Sequence, residues 1–555
     1  MAERSDEDAI REQVQARVRQ EEEEAAVQGE SPDGNSPPEL THEFVTQCLD
    51  ANELGDGLIF SALYRGRHVF VGQAGEWMFY RGHHWHMDDI GEANAALADV
   101  EGVAEAYLRA SDHCHQLAVD AENSEKKEDA ARHKRKRDAL RARVIRLRSK
   151  AGRGNCLSFA KSNREYPLAI RGDEIDRDIW ALPMANGVLD LKTGKLRPGR
   201  PDDYLLKSSS VEWKGIDEPC PNWERFLLQI MDGDADMVAF IRRVFGCGIT
   251  GSVKEQKFIV LYGKGRNGKG IMTEMIQEAL GGSNSSSALA GPVQSEMLLD
   301  QGKNRNAAGP SPDIMSLRGM RLIFASETDE GQRFSAARVK WLSGADKLTG
   351  RYPHDKRNIV FDPTHLLCLL TNNKPHAPAT DLAFWERLYL VEFPLSFVDR
   401  KPSGPNERPV DKEIREQLQA ELPGIMAWLV RGCLEWRKNP RGLDPPVKVR
   451  DAVAEYRKGE DTLGEFLEDC CEVILENPET VRTSASGLYD AFIAWFRINI
   501  SAKHDFSQKR FGKLMQERFT RERKGGSYYY YGIRILPEML KKMEGKKDDS
   551  GWLAE

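Results

Sequence analysis

Nowhere in these 555 residues do about 18 apolar residues run together, so no stretch reads as a membrane span. The opening MAERSDEDAIREQVQARVRQEEEE has no apolar centre among its charges, so it does not read as a signal peptide. Nine cysteines include no CxxC pair. They supply neither a zinc-ribbon spacing nor a disulfide frame, and read as reduced core thiols of a cytoplasmic protein. No internal repeat stands out, which argues against a solenoid. What remains is a chain with 40% apolar and 30% charged residues, enough for real cores under a polar surface. Its length suggests roughly three or four domains.

The net charge of -7 hides segregation. Residues 1–40 are acidic, end in GESPDGNSPPEL and read as a disordered lead. Lys126–Lys150, by contrast, holds twelve Lys/Arg against three acids. That helix is either solvated with a basic face or in contact with phosphates. HVFVGQAGEWMFYRGHHWHMDD reads as strands with glycine turns. Its His83, His84 and His86 have no second ligand cluster to make a metal site. Trp180–Pro198 reads as two short strands around Thr193-Gly194, and Cys220–Gly251 as helix. From Phe258 to about Val398 strands alternate with helices, the pattern of an α/β sheet. RKPSGPNERP, Arg400–Pro409, reads as a linker-like break.

The chemistry concentrates after Lys257. KFIVLYG is a buried-strand candidate, followed by Gly263, Gly265, Asn267, Gly268, Lys269, Gly270 and Ile271 and an amphipathic helix. Strand, glycine loop and helix in that order let backbone N–H groups wrap phosphates, with the helix N-terminus and a mobile lysine adding positive charge. Gly270 stands where a Ser or Thr hydroxyl usually holds Mg²⁺; water, or Thr273 one turn on, is the available substitute. MRLIFASETDEG then places Glu327 at a strand end with Asp329 just beyond, suited to hold Mg²⁺ or polarise a water. HLLCLLTNNKP ends a further strand at Asn372, and DLAFWERLYLVEF sets Arg387 among apolar residues, where it needs an anionic partner.

Lysine, acid, asparagine and arginine in this order resemble the superfamily 3 helicases of viruses, phages and plasmids, and more closely the helicase portion of phage and plasmid DNA primases. The resembling phrases are LYGKGRNGKG, RGMRLIFASETDEG, KWLSGADKLTGRYPHDK, LLCLLTNNKP and FWERLYLVEF, with NGVLDLKTGKLRP, NWERFLLQI and FGCGITG before them and ELPGIMAWLVRGCLEW after. The resemblance implies an α/β fold: an AAA+-like P-loop core with a mixed α+β N-terminal region and a helical, winged-helix C-terminal region. It implies a ring helicase using ATP and Mg²⁺, a homo-hexamer translocating on single-stranded DNA at forks. A separate primase or polymerase would be its partner, with no membrane, in the cytoplasm of a bacterial host. By match, Lys269 is the phosphate lysine, Glu327 the main acid, Asp329 a second acid, Asn372 the sensor and Arg387 the arginine finger.

The expected organisation is an acidic lead over 1–40 and an N-terminal region of primase-helicase type over 41–220, with its basic helix at 126–150. The ATPase domain covers 221–400 with a helical lead-in to 255, and a helical lid or linker covers 401–458. A winged-helix-like DNA-binding domain spans 459–540, before a flexible tail over 541–555. The resemblance also implies a DNA-gripping hairpin within Gly344–Phe361, its tip near Tyr352–Lys356, with Arg351, His354 and Lys356 as phosphate contacts. In the C-terminal domain, Lys509, Arg510 and Lys513 would face DNA and the Tyr528–Tyr531 hairpin would form the wing; a structural or protein-docking role is the alternative. Two further classes compete. A primase needs clustered acids for two metals, and only HMDD approaches that before residue 220. A non-catalytic initiator or scaffold would bind ATP and DNA without turnover.

Overall fold

A computed structural model of the chain describes residues 40–87, 95–163, 167–282, 287–302, 310–326, 330–353, 358–500 and 506–539. They fall into two compact units, one from 40–81 and 85–174, the other from 82–84 and 175–539.

The first unit joins helices to a small sheet. Helices α1 (His42–Asp50) and α2 (Glu53–Tyr64) precede strands β1 (His68–Val71), β2 (Glu76–Tyr80) and β3 (Trp85–Met87). Then come α3 (Ala95–Asn123), α4 (Lys127–Leu147), α5 (Lys150–Ser162) and β4 (Ala169–Ile170). The sheet order is β3-β2-β1-β4, with only the β1–β4 pair parallel. Helices α3 and α4 form an antiparallel hairpin, as the ion pairs Lys134–Glu122, Arg141–Asp112 and Arg148–Glu101 record in sequence. Inside it, Asp56 of α2 takes Arg143 Nε at 2.9 Å and the Tyr107 hydroxyl at 3.0 Å, all three buried. Burial pushes the Asp56 carboxyl up against the pull of Arg143.

The second unit opens with β5 (Ala181–Met184), β6 (Gly187–Asp190) and β7 (Lys195–Arg197), an antiparallel meander. Three strands stand where the sequence suggests two. The turn at Thr193-Gly194 joins β6 to β7 as expected, but a tighter turn at Ala185-Asn186 adds β5. Asn186 fixes it by bonding both the N–H and the C=O of Trp213, at 2.9 and 3.0 Å. Helices α6 (Pro221–Ile230) and α7 (Ala235–Gly248) follow. Proline at the first turn of α6 and the Asp234 cap on Met237 N start them.

The central sheet comes next: β8 (Phe258–Tyr262), α8 (Lys269–Ala279), β9 (Ala290–Val293), α9 (Pro312–Met315), β10 (Leu322–Ser326) and α10 (Ala336–Leu342). A hairpin of β11 (Leu348–Gly350) and β12 (Ile359–Phe361) leads to β13 (Leu366–Thr371), α11 (Leu382–Trp385) and β14 (Leu388–Glu392). Its five strands run in the order β14-β8-β13-β10-β9, all parallel. Near-continuous apolar runs such as FIVLY suit a sheet covered on both faces. Ile259, Leu261, Leu322 and Phe324 pack with the α6–α7 side, whereas Phe258, Val260, Ile323 and Leu369 pack with Leu342 and Phe384. This alternation is the two-residue period of a strand.

The pair β15 (Ser396–Val398) and β16 (Glu407–Pro409) is parallel. Arg400–Pro409 is therefore not the break its composition suggests. The Glu407 carboxylate takes both Arg400 and the Ser403 N–H, which pull it down to about 2. Helices α12 (Ile414–Gln419), α13 (Leu422–Lys438) and α14 (Val447–Gly459) complete the region, α13 seating Trp428 edge-on to Trp223 of α6 at 5.6 Å.

A last module runs α15 (Thr462–Cys470), β17 (Cys471–Val473), β18 (Arg482–Ser484), α16 (Ala485–Asn499), α17 (Gln508–Gln516), β19 (Arg521–Lys524), β20 (Ser527–Tyr531) and β21 (Ile533–Ile535). It has its own core around Phe466, Phe492, Phe511 and Met515 and a sheet ordered β18-β20-β19. Tyr528 and Tyr530 share one face of β20; Tyr530 is core, and Tyr528, nearer the Gly525-Gly526 turn, is exposed. All nine cysteines are buried and unpaired.

Candidate nucleotide-binding site and nucleic-acid surfaces

Strand β8 delivers the chain to the carboxyl edge of the sheet between β13 and β14, where crevices of parallel sheets open. The loop from Gly263 to Gly268 then turns back through left-handed positions at Gly265 (φ 95°), Arg266 (φ 48°) and Gly268 (φ 82°). A Cβ on Gly263 would lie 2.1 Å from Asn267 Nδ2, and one on Gly268 2.5 Å from Ile230 Cγ2. Both glycines are thus required by space, Gly268 by conformation as well. Gly268 offers no capping side chain, so the first N–H groups of α8 are left for another acceptor.

Lys269 opens α8 and is only 5% exposed. Its Nζ donates to Gly263 O at 2.6 Å, Thr371 O at 3.2 Å and Asn372 Oδ1 at 3.2 Å. All three are neutral oxygens. Burial lowers its pKa to about 8. A buried cation without a countercharge is costly, and an anion in the loop relieves that cost. Beside it the Asn267 amide nitrogen is buried and unpartnered. Loop, lysine and orphan donor fit an oxyanion of phosphate type. The fit for Mg²⁺ is different. Gly270 carries no hydroxyl, and the buried Thr273 hydroxyl lies 3.1 Å from both Lys269 O and Gly270 O, engaged in its own helix. The hydroxyl thus spends its proton within its own helix, which leaves its lone pairs as what it offers a cation. Carboxylates would have to come from Glu327 and Asp329, which lie outside the described residues; β10 ends at Ser326, the residue before Glu327.

The structure thus brings Lys269 and Asn372 together and holds Arg387 away. Arg387 immediately precedes β14, and its carbonyl accepts Phe258 N at 2.8 Å, at the start of β8. Five residues of strand, roughly 16 Å, separate that edge from the loop. There Arg387 donates to Ala383 O at 2.9 Å and Gln256 Oε1 at 3.0 Å, and its Nε is buried without a partner.

Composition did not disclose a cleft of about 1520 Å³ beside the loop, reached through Gly268, Gly270 and Ile271. Phe226, Phe397 and Ile414 line it, and an Asp232–Arg408 ion pair of 2.9 Å crosses from the end of α6 to β16. The one sequence signal was the run after Val398, read there as a linker.

The hairpin at 344–361 has formed stems, β11 and β12. Arg351 leaves β11 with its N–H on Ser311 Oγ at 3.1 Å; His354 and Lys356 lie outside the described residues. Lys509, Arg510 and Lys513 ride on α17, all exposed, with Arg510 4.4 Å above the Phe506 ring. At least seven of the twelve cations in Lys126–Lys150 hold carboxylates, which favours the solvated-helix reading. Among the described residues no group of His, Cys, Asp and Glu is placed to hold a metal, and no helix is long and apolar enough to cross a membrane.

Residues 57–232 match the family described as D5 N terminal like. The chain's homologues include viral proteins named as helicases. The chain is similar to "Putative helicase L207/L206" of Acanthamoeba polyphaga mimivirus, 26% identical over 340 residues, which cover 59% of this chain and 34% of that protein. It is similar also to "Putative helicase 022R" of Frog virus 3 (isolate Goorha), 23% identical over 398 residues covering 59% of this chain and 40% of that protein. The chain therefore spans well under half the length of these relatives. Among solved structures, the apo C-terminal region of NrS-1 (305–718) aligns with 84% of this chain and 96% of its own, at 10% identity and a TM-score of 0.43. These relatives come from viruses of Acanthamoeba and frogs and lend no support to a bacterial host.

Proposed function

We propose that the chain is the motor subunit of an ATP-dependent DNA helicase of superfamily 3 type, acting in replication of a phage, prophage or plasmid genome. The observation that carries the reading is Lys269: a buried ammonium facing only neutral oxygens, in a glycine loop at a helix start, 3.2 Å from Asn372. The parallel sheet with β8 inside it supports an AAA+-like core. In this reading Lys269 and the α8 N–H groups hold the β- and γ-phosphates, and the cleft behind Ile271 takes the base. Mg²⁺, when bound, supplies charge neutralisation at those phosphates, held by Glu327 and Asp329. Glu327 also polarises the attacking water and Asn372 orients it. Arg387, held far from its own loop, serves the loop of a neighbouring copy, which calls for a ring, a homo-hexamer by resemblance. The 344–361 hairpin grips single-stranded DNA through Arg351, His354 and Lys356. The order of elements from α15 to β21 supports a winged-helix-like module bearing Lys509, Arg510 and Lys513. A separate primase or polymerase completes the machinery, in the cytoplasm of the host cell.

The test is strand displacement on a forked DNA duplex. Displacement that requires ATP and Mg²⁺ is expected. ATP binding without displacement or DNA-stimulated turnover would replace this reading with a scaffold, and oligonucleotide synthesis on a bare template would replace it with a primase.

A further inference from the structure

The C-terminal module distributes its cations unevenly. Arg518 pairs with Asp461 at 2.6 Å, and Arg534 pairs with Glu472. On the ribbon made by β19 and β20 the pattern reverses. Arg521, Glu522, Arg523 and Lys524 are all exposed, and among the described residues none of the three cations has a carboxylate partner within 4.0 Å. Registry puts Arg521 and Arg523 opposite Tyr530 and Tyr528, on one face, and turns Glu522 to the other, opposite Tyr529. The exposed Tyr528 ring lies 4.3 Å from the Arg521 guanidinium and 5.9 Å from that of Arg523, so the cations are braced by a ring rather than neutralised. With its carboxamide oxygen turned inward, Gln516 accepts from Arg521 at 2.8 Å, linking the ribbon to the last turn of α17. Lys513 lies three residues before Gln516 and Lys509 four before that, on the side of α17 away from buried Phe511 and Met515. Both are also without a carboxylate partner among the described residues.

We infer that the β19–β20 ribbon, through Arg521, Arg523 and Lys524, is a sequence-independent phosphate contact for DNA. It extends the surface of Lys509 and Lys513, and rests on the reading of the chain as a nucleic-acid motor. Uncompensated charge at a surface is where a polyanion gains most, because each neutralised phosphate releases counterions. Arg521 and Arg523 are about 6.8 Å apart on one face of the strand, which lets them meet separate phosphates. The tight Gly525-Gly526 turn, both at positive φ, keeps the ribbon short and stiff. What the ribbon presents is positive charge, which grips phosphate without reading sequence.

The experiment is fluorescence anisotropy of the full chain on a labelled DNA duplex of arbitrary sequence, titrated across KCl concentrations. The triple variant Arg521→Gln, Arg523→Gln, Lys524→Gln should bind at least tenfold more weakly at low salt. Its log–log salt dependence should flatten by about 0.9 per lost contact, two to three units in all. The charge-retaining pair Arg521→Lys, Arg523→Lys should restore the slope, which counts charge. Arg534→Gln, on a paired arginine, should leave it unchanged. ATPase without DNA should be the same in all variants, and its absence in the wild type would sink the motor reading while leaving the DNA-binding result standing. An unchanged slope in the triple variant, or a slope the lysine pair does not restore, overturns the inference.

Discussion

Lys269 is held where its charge is least welcome, and that gives it a pH signature. Its pKa stands at about 8, lowered from 10.5 by burial. A triphosphate in the loop would raise it again. Below pH 8 the lysine is already charged and binds phosphate directly. Above it the free chain holds a neutral amine, and each nucleotide must bring a proton with it. ATP affinity is therefore expected to fall toward tenfold per pH unit above about 8, with proton uptake visible by calorimetry in buffers of different ionisation enthalpy. A flat affinity across that range would mean that Lys269 does not meet the phosphates. Gly270 makes a second prediction. A Cβ there would touch nothing within 4 Å. Gly270→Ser should leave the melting temperature unchanged or slightly raised, since serine favours helix over glycine by about 0.5 kcal/mol. It should also lower the Mg²⁺ concentration needed for half-maximal ATPase, because it supplies the missing hydroxyl. A destabilised variant would show that the position is not open.

Among the elements, the helix bundle of the first unit turns on one buried network. Asp56→Ala would leave Arg143, 7% exposed, without its carboxylate and the Tyr107 hydroxyl without its acceptor. A loss of about 3–5 kcal/mol is expected in urea denaturation; a loss below about 1 kcal/mol would mean that water replaces the pairing. The main elements were legible because their signals are local. FIVLY is a continuous apolar run, the glycines that follow it are needed within a few residues, and Lys269 starts the next helix. The missed features are held by contacts distant in sequence. β5 depends on Asn186 bonding Trp213, and Arg400–Pro409 is fixed by the Arg400–Glu407 pairing and by Arg408 on Asp232. A window along the chain sees only proline, glycine and serine there. The same limit hid the cleft, whose walls come from α6, α8 and the 396–414 segment.

For the molecule as a whole, the two ends of the central sheet cannot serve one nucleotide. Lys269 lies at the carboxyl edge and Arg387 at the amino edge. Arg387→Ala and Lys269→Ala chains should each be inactive, yet recover part of the ATPase when mixed after verified subunit exchange, because some interfaces then pair an intact loop with an intact arginine. No recovery would confine Arg387 to its own subunit. The central claim, that the loop at Lys269 is a working triphosphate site driving a DNA motor, is tested most directly by ATPase with and without single-stranded DNA. The wild-type chain and a folded Lys269→Ala variant would be measured side by side. The expected result is DNA-stimulated hydrolysis in the wild type and loss of turnover in the variant, with DNA binding retained. Wild-type hydrolysis by the variant would contradict it.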